Sequence, residues 1–138
     1  QLKKLKNSIL TRIKNFKFLI NFFKKYTDIL SLPKQNKGVK TGWLAFPLVI
    51  KNKKIKRQKL QIFLEKRNIQ TRAIFTGNIL RQPIMKKKKY FKHKKSEIVS
   101  NDIMRNGILI GCHHGLTKKN LEYICKSFNL FLKKNNLI

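Results

Sequence analysis

The chain has 138 residues, of which 41% are apolar, so it can form one domain with a buried core and is not a fully disordered basic tail. Its 34 lysines and arginines oppose only 5 acidic residues, giving a formal net charge of +29, which favours nucleic acid or an anionic membrane as a partner. Apolar runs stay below the roughly 18 residues of a transmembrane helix, and the first residues show no signal-peptide pattern, so we expect no membrane partner.

Residues 1–30 are expected to form a connecting segment made of one amphipathic helix, over residues 2–26. Apolar side chains recur there at helical spacing, at Leu2, Leu5, Ile9, Ile13, Phe16, Ile20 and Phe23. Lysines and asparagines fill the opposite face. A basic amphipathic helix is typical of a membrane-surface segment. The favoured alternative is a helix that docks on its own domain or on a partner domain.

Residues 31–138 are expected to form a small α+β domain. A loop over 31–41 is followed by strand 43–50, helix 56–67, strand 69–74, an ordered loop over 75–85, helix 97–105, strand 108–112 and helix 118–133. Pro47 indicates an edge position or a bulge in the first strand, and Ser96 and Thr117 are the predicted caps of the last two helices. This order predicts a three-stranded antiparallel sheet with helices on one face.

Two cysteines and two histidines suggest a metal site, since thiol and imidazole are ligands that zinc prefers. They are Cys112, His113, His114 and Cys125. Their spacing matches no zinc pattern, and Cys125 falls on or near the apolar face of the last helix. A buried Cys125 and a pair of turn histidines is therefore favoured, with no metal. Two cysteines are too few for a disulfide framework, which favours the reducing cytoplasm.

The acidic residues do not predict catalysis by this chain. They are scattered on predicted helices or helix ends, at Asp28, Glu65, Glu97, Asp102 and Glu122. No two of them have the local spacing of a general acid and base. The glycine motifs that bind phosphate are absent as well.

The segment from Thr71 to Pro83 carries the clearest binding signal. Arg72, Asn78, Arg81 and Gln82 lie there, where a predicted strand ends. Two arginines and two amides on an ordered loop suit an anionic, hydroxyl-rich ligand such as a nucleotide sugar. The alternative is that these side chains cap the loop backbone or contact a partner surface.

The basic run over residues 86–95 is interleaved with Tyr90, Phe91 and His93, a pattern that can bind single-stranded nucleic acid or form a solvated loop. Lysine provides 28 of the 34 basic residues. Because lysine, asparagine, isoleucine and phenylalanine share AT-rich codons, a biased genome would also produce this charge. A lysine-rich RNA-binding module is thus the alternative function, and nonspecific nucleic-acid binding is otherwise expected. A structural protein that docks through its first helix is a third hypothesis.

Three stretches resemble one protein family: Trp43–Leu48, Ile69–Pro83 and Asn101–Thr117. In this order they are similar to the C-terminal part of the DegT-family sugar aminotransferases, over about residues 40–133. The branch of CDP-4-keto-6-deoxy-D-glucose 3-dehydrases, of lipopolysaccharide deoxysugar synthesis, is the most similar. The string Thr-Arg-x-x-Phe-x-Gly-Asn before Arg-Gln-Pro is fairly specific to that branch. Residues 2–30 resemble the family's helix that enters the small domain.

The resemblance implies the C-terminal domain of a fold-type I, pyridoxal phosphate-dependent enzyme. The parent enzyme would be a homodimer that removes the 3-hydroxyl of a nucleotide-linked 4-keto-6-deoxyhexose with pyridoxamine phosphate. In this branch a histidine replaces the Schiff-base lysine, and some members hold an iron–sulfur cluster. The large domain, which carries the cofactor pocket, is not part of the match, so we expect a fragment that is inactive alone and binds no cofactor by itself.

The resemblance also implies which residues contact substrate when the small domain closes one side of the cleft. By their position in the motif, Arg72, Asn78 and Arg81 are expected to line the cleft. Arg72 or Arg81 would bind a phosphate or a sugar hydroxyl, and Asn78 would fix a hydroxyl or the loop backbone. His113 and His114, on the turn after the third predicted strand, are the further expected contacts. No catalytic residue is expected in this chain.

Overall fold

The computed structural model describes residues 2–75, 77–86 and 94–138. The helices are α1 (Leu2–Phe23), α2 (Arg57–Glu65), α3 (Pro83–Lys86), α4 (Lys94–Asn106) and α5 (Lys118–Lys134), with 3₁₀ turns at Lys24–Tyr26 and Ile79–Arg81. The strands are β1 (Leu30–Ser31), β2 (Ala45–Ile50), β3 (Thr71–Ala73) and β4 (Gly107–Gly111). The aromatic residues of the basic run, Tyr90, Phe91 and His93, lie outside the described residues.

The sheet is antiparallel, in the order β1-β2-β4-β3. It therefore confirms the predicted α+β class and antiparallel pairing, but it has four strands instead of the expected three. The additional strand is β1, in which Leu30 pairs with Ile50 and Ser31 with Val49. Two residues are too few to show the alternating pattern from which strands are predicted, so β1 could not be predicted from its residues.

Pro47 lies within β2, where it pairs with Leu109 in an unbroken register. The predicted bulge is therefore wrong. Strand order places β2 inside the sheet, yet in the described residues β1 reaches only Val49 and Ile50. Lys51 donates its N–H to Ile29 on the β1 side. Every second residue points its backbone groups the same way, so Pro47, which has no N–H, faces the side of β2 that β1 leaves open.

The main core lies on one face of the sheet, beneath α1, α2 and α5. Apolar side chains from these helices converge with side chains of β2 and β4: Phe23, Leu48, Leu60, Leu64, Ile108, Ile110, Ile124 and Phe128. Phe128 packs edge-on against Phe23, with ring centroids 5.0 Å apart. Alternate residues of β2, beginning with Phe46, are buried, which is the pattern of a strand with one face in the core.

Helix α1 uses only its second half for this packing. Asn15, Phe16, Leu19 and Phe23 are buried, whereas Leu2, at the start of the predicted stripe, is 85% exposed. The second half docks on the chain's own domain, as favoured from the sequence. Within the described residues no helix is long and apolar enough to cross a membrane.

Local signals explain where the other helices begin and end. Thr117 and Asn120 form a reciprocal capping box at the start of α5, as expected for Thr117. After α2 ends at Glu65, Asn68 adopts the left-handed region with φ +59°, and its N–H donates to the Glu65 carbonyl at 2.9 Å, which closes the turn that follows the helix. The predicted cap at Ser96 is wrong, because α4 begins two residues earlier, at Lys94.

Candidate functional site

A cavity of about 480 Å³ lies at the end of the sheet where β4 ends and β3 begins. Its wall combines residues that precede β3, the turn after β4 and the first half of α5. Polar side chains in the wall include Gln70, Arg72, His113 and Asn120. The cavity is of a size that holds a small ligand, with a few polar groups to orient it.

Arg72 reaches the cavity because successive side chains of β3 point to opposite faces of the sheet. The neighbouring Thr71 is buried, and its hydroxyl donates to the Glu65 carboxylate at 2.6 Å and accepts from the Gln61 amide at 3.3 Å. These bonds hold Thr71 on the inner side, so Arg72 faces outward. In the part of the chain that the structure describes, no carboxylate forms an ion pair with Arg72. Its guanidinium can therefore bind an external anion.

His113 is held in the cavity wall from two sides. Asn15, buried on α1, donates its amide N–H to the His113 carbonyl at 2.8 Å. The His113 ring accepts a hydrogen bond from the Gly115 N–H at Nδ1, over 3.2 Å. A neutral ring with this bond carries its proton on Nε2, which becomes a donor. His114 is exposed on the same turn and is not among the residues that line the cavity.

Asn78 and Arg81 lie on a different part of the molecule, at the 3₁₀ turn before α3. The Asn78 side chain is 3% exposed, and its Oδ1 accepts the Leu80 N–H at 3.0 Å. Its Nδ2 donates to Asn101 Oδ1 on α4 at 3.1 Å, and Arg81 Nε donates to the same oxygen at 3.2 Å. Asn78 therefore fixes the loop backbone, one of its two expected roles.

The structure thus divides the five predicted site residues among three places. Arg72 and His113 share the cavity, Asn78 and Arg81 meet through Asn101, and His114 lies outside both groups. Sequence reasoning missed two supporting residues, Asn15 and Asn101. Asn15 gave a detectable signal, since it is a polar residue beside the apolar stripe of α1. Asn101 lay in the family-like stretch Asn101–Thr117, but its residue type gave no sign of a role, because a polar residue on a helix is usually solvated.

Both cysteines are buried and free. Burial raises the pKa of Cys112 from 9.0 to about 11, although the nearby Arg12 charge lowers it. Burial also raises the pKa of Cys125 to about 12. Neutral buried thiols are poor nucleophiles and poor metal ligands. Residues 2–75, 77–86 and 94–138 contain no group of three His, Cys, Asp or Glu side chains that could hold a metal ion.

Comparison with known proteins identifies the family. The model of the DegT/DnrJ/EryC1/StrS aminotransferase family matches residues 1–129. The chain belongs to this family. The resemblance inferred from the three sequence stretches is confirmed, and the match includes α1, as the resemblance of residues 2–30 implied.

Two curated relatives and one solved structure show how much of a family member the chain represents. The lipopolysaccharide biosynthesis protein RfbH of Salmonella typhimurium is 31% identical over 137 residues, which is 98% of this chain and 31% of that protein. GDP-4-keto-6-deoxy-D-mannose 3-dehydratase of Escherichia coli is 30% identical over 129 residues, which is 90% of this chain and 31% of that protein.

The solved structure is the E. coli GDP-4-keto-6-deoxy-D-mannose 3-dehydratase with bound hydrated PLP. It is 26% identical and superposes with a TM-score of 0.81 over 92% of this chain and 32% of that chain. The chain therefore spans about a third of the length of these relatives.

Proposed function

We propose that this chain is the C-terminal domain of a nucleotide-sugar 3-dehydratase or aminotransferase of lipopolysaccharide deoxysugar biosynthesis, and that it closes one side of the substrate cleft. The match to RfbH over 98% of the chain carries the proposal. The relative from E. coli is by name a 3-dehydratase of a GDP-linked 4-keto-6-deoxy sugar. The comparisons give no support to the RNA-binding alternative. The aminotransferase family model matches residues 1–129, and so it covers nearly all of the lysine-rich chain.

The side chains of the cavity suit a nucleotide-linked 4-keto-6-deoxyhexose. Such a substrate carries a pyrophosphate with fixed negative charge and sugar hydroxyls that both donate and accept. Arg72 supplies forked cationic donors without a competing carboxylate in the described residues. Since its Nδ1 accepts the Gly115 N–H, the His113 ring offers an N–H donor at Nε2. We propose that these two contact the substrate, that Arg81 binds a phosphoryl group, and that His114 contacts it when the cleft closes.

We propose that this chain does not hold pyridoxal phosphate by itself. Among the described residues, the cavity wall contains no carboxylate to pair with the pyridine nitrogen of the cofactor. We propose that the cofactor is held by the large domain that makes up the rest of the relatives' length. The small domain would then bind and orient the sugar nucleotide and exclude water from the cleft.

The assembled enzyme is proposed to be a homodimer in the cytoplasm. The homodimer follows from the family resemblance. The free thiols of Cys112 and Cys125 support a reducing compartment.

A chimeric enzyme tests the proposal. Joining this chain to the remaining two-thirds of the E. coli 3-dehydratase should give a protein that binds pyridoxal phosphate and consumes the GDP-linked 4-keto-6-deoxy sugar. In this chimera Arg72→Ala should lower kcat/KM about tenfold or more, since a charge-assisted contact is lost. Arg105→Ala is the matched control, because Arg105 is exposed on α4 and does not line the cavity. A folded, cofactor-loaded chimera without turnover would contradict the proposal.

A further inference from the structure

One side-chain oxygen joins the loop before α3 to helix α4. Asn101 Oδ1 accepts from Asn78 Nδ2 at 3.1 Å and from Arg81 Nε at 3.2 Å. A carbonyl oxygen has two lone pairs, so these two donors saturate it. Asn101 therefore restrains both side chains at once.

The loop is also pressed against α4 one helical turn further along. Gly77 adopts φ +72°, and a Cβ placed on it would lie 2.3 Å from Met104 Cβ and 2.9 Å from Met104 Cα. Met104 and Asn101 are three residues apart and share one face of α4. This close contact and the two hydrogen bonds fix the position of the loop relative to the helix.

The bond to Asn101 uses only part of the Arg81 guanidinium. It engages Nε, whereas an arginine fork that binds phosphate uses its terminal nitrogens. The acceptor is a neutral amide, so the full positive charge of Arg81 is retained. In the described residues no carboxylate forms an ion pair with Arg81. Arg81 is thus oriented without being neutralised.

We propose that Asn101 is a positioning residue, which fixes the Arg81 guanidinium so that its terminal nitrogens bind a phosphoryl group of the nucleotide-linked substrate. The inference rests on the proposed function, in which Arg81 is the phosphoryl-binding group. Asn78 completes the arrangement, since its buried amide links Asn101 to the backbone of the turn at Leu80. Preorganisation of this kind strengthens binding by reducing the conformational entropy lost when the ligand binds.

The test uses the 138-residue chain, inorganic pyrophosphate as the probe and ¹⁵N NMR of arginine side chains. The readout is the Arg81 Nε–H resonance, which reports binding at this residue and not at the lysine-rich surface. We expect slow exchange of this proton with water in the unsubstituted chain. Asn101→Leu should remove this protection and weaken the pyrophosphate response of Arg81 about tenfold.

Two further variants separate positioning from a general effect on the fold. Asn101→Asp keeps the acceptor oxygens, so Arg81 Nε–H should stay protected while the new carboxylate weakens pyrophosphate binding. Asn106→Leu is the matched control on the same helix, where the amide contacts Asp102 instead of Arg81. It should leave the Arg81 resonance and its pyrophosphate response unchanged.

The outcomes separate the positioning role of Asn101 from the phosphoryl-binding role of Arg81. If Arg81 responds to pyrophosphate equally in the unsubstituted chain and in folded Asn101→Leu, Asn101 does not position it. If Asn101→Leu does not fold, loss of Nε–H protection in Asn101→Asp overturns the inference. If Arg81 shows no response in the unsubstituted chain, the phosphoryl-binding role of Arg81 is wrong, and the role of Asn101 falls with it.

Discussion

The helix-packed face of the sheet and the loop that docks on α4 are stabilised in different ways. On the packed face, rings such as Phe23, Phe46 and Phe128 meet at centroid distances of 5.0 to 5.5 Å, and most contacts are apolar. The loop is held to α4 by two hydrogen bonds to one oxygen of Asn101, and it can approach the helix closely because Gly77 has no Cβ. The first region supplies stability through many weak contacts, and the second places functional groups through a few directional ones.

The largest predicted effect concerns the packed face. Phe128→Ala removes a ring that is buried against Phe23 and Tyr26, and it should lower the free energy of unfolding by about 3–5 kcal/mol. Urea denaturation followed by circular dichroism measures it. The matched control is Phe75→Ala near the docked loop, where the ring is 89% exposed and the expected change is below about 0.5 kcal/mol. Equal losses would mean that stability is not concentrated on the packed face.

The loop should be sensitive to a single methyl group. Gly77→Ala combines a positive φ with a clash against the Met104 backbone, so it should cost about 2–4 kcal/mol. Gly38→Ala is the control, because Gly38 has a similar φ of +80° and nothing within 4 Å of the added Cβ. It should cost about 1 kcal/mol. If the two variants unfold at the same urea concentration, the close contact between the loop and α4 is not present in solution.

The two buried thiols predict a loss of stability at alkaline pH. In the unfolded chain they ionise near 9.0, whereas in the fold burial raises the pKa to about 11 for Cys112 and about 12 for Cys125. The contribution of the two thiols to stability is therefore nearly complete at pH 8 and falls as the pH rises through 9.0 toward 11, by about 3 kcal/mol in total between about pH 8 and pH 10.

The contribution of the two thiols is measured by comparing the unsubstituted chain with a variant that lacks both of them. Urea unfolding of the Cys112→Ala, Cys125→Ala double variant should show a smaller loss between about pH 8 and pH 10. An identical loss would show that the two thiols ionise equally in both states.

The smallest effect is expected at the capping box of α5. Thr117→Ala removes the side chain that accepts the Asn120 N–H at 3.3 Å, and it should cost about 1 kcal/mol. Thr27→Ala, at an exposed position after α1, should change the free energy by less than about 0.5 kcal/mol. Thermal unfolding of both variants compares them, and an unchanged Tm for Thr117→Ala would argue against the cap.

Local sequence patterns predict the helices well and their burial less well. Apolar periodicity predicts α5 closely, over 118–133 against the observed Lys118–Lys134, because its buried side and its cap are both local features. It fails for the first half of α1, where the stripe continues through Leu2 and Leu5 but both side chains are exposed. Periodicity shows which side of a helix is apolar, and does not show whether anything covers it.

The candidate site was predictable only in its residue types. The arginines and amides of the 71–83 segment point to an anionic ligand, and they all lie near the two places described. Which of these side chains line the cavity and which contact Asn101 depends on where α4 packs. Asn101 on that helix is more than twenty residues from Asn78 in the chain. No local pattern encodes one amide oxygen that is shared between two donors.

The short strand β1 has a consequence for how copies of this chain meet each other. In the described residues it leaves the side of β2 before Val49 without a paired strand, and an unpaired strand edge is a template on which another strand can add. Pro47 faces that side and offers no N–H, so an incoming strand would lose a ladder bond and meet the pyrrolidine ring. One proline thereby disfavours intermolecular sheet growth at this unpaired part of the strand.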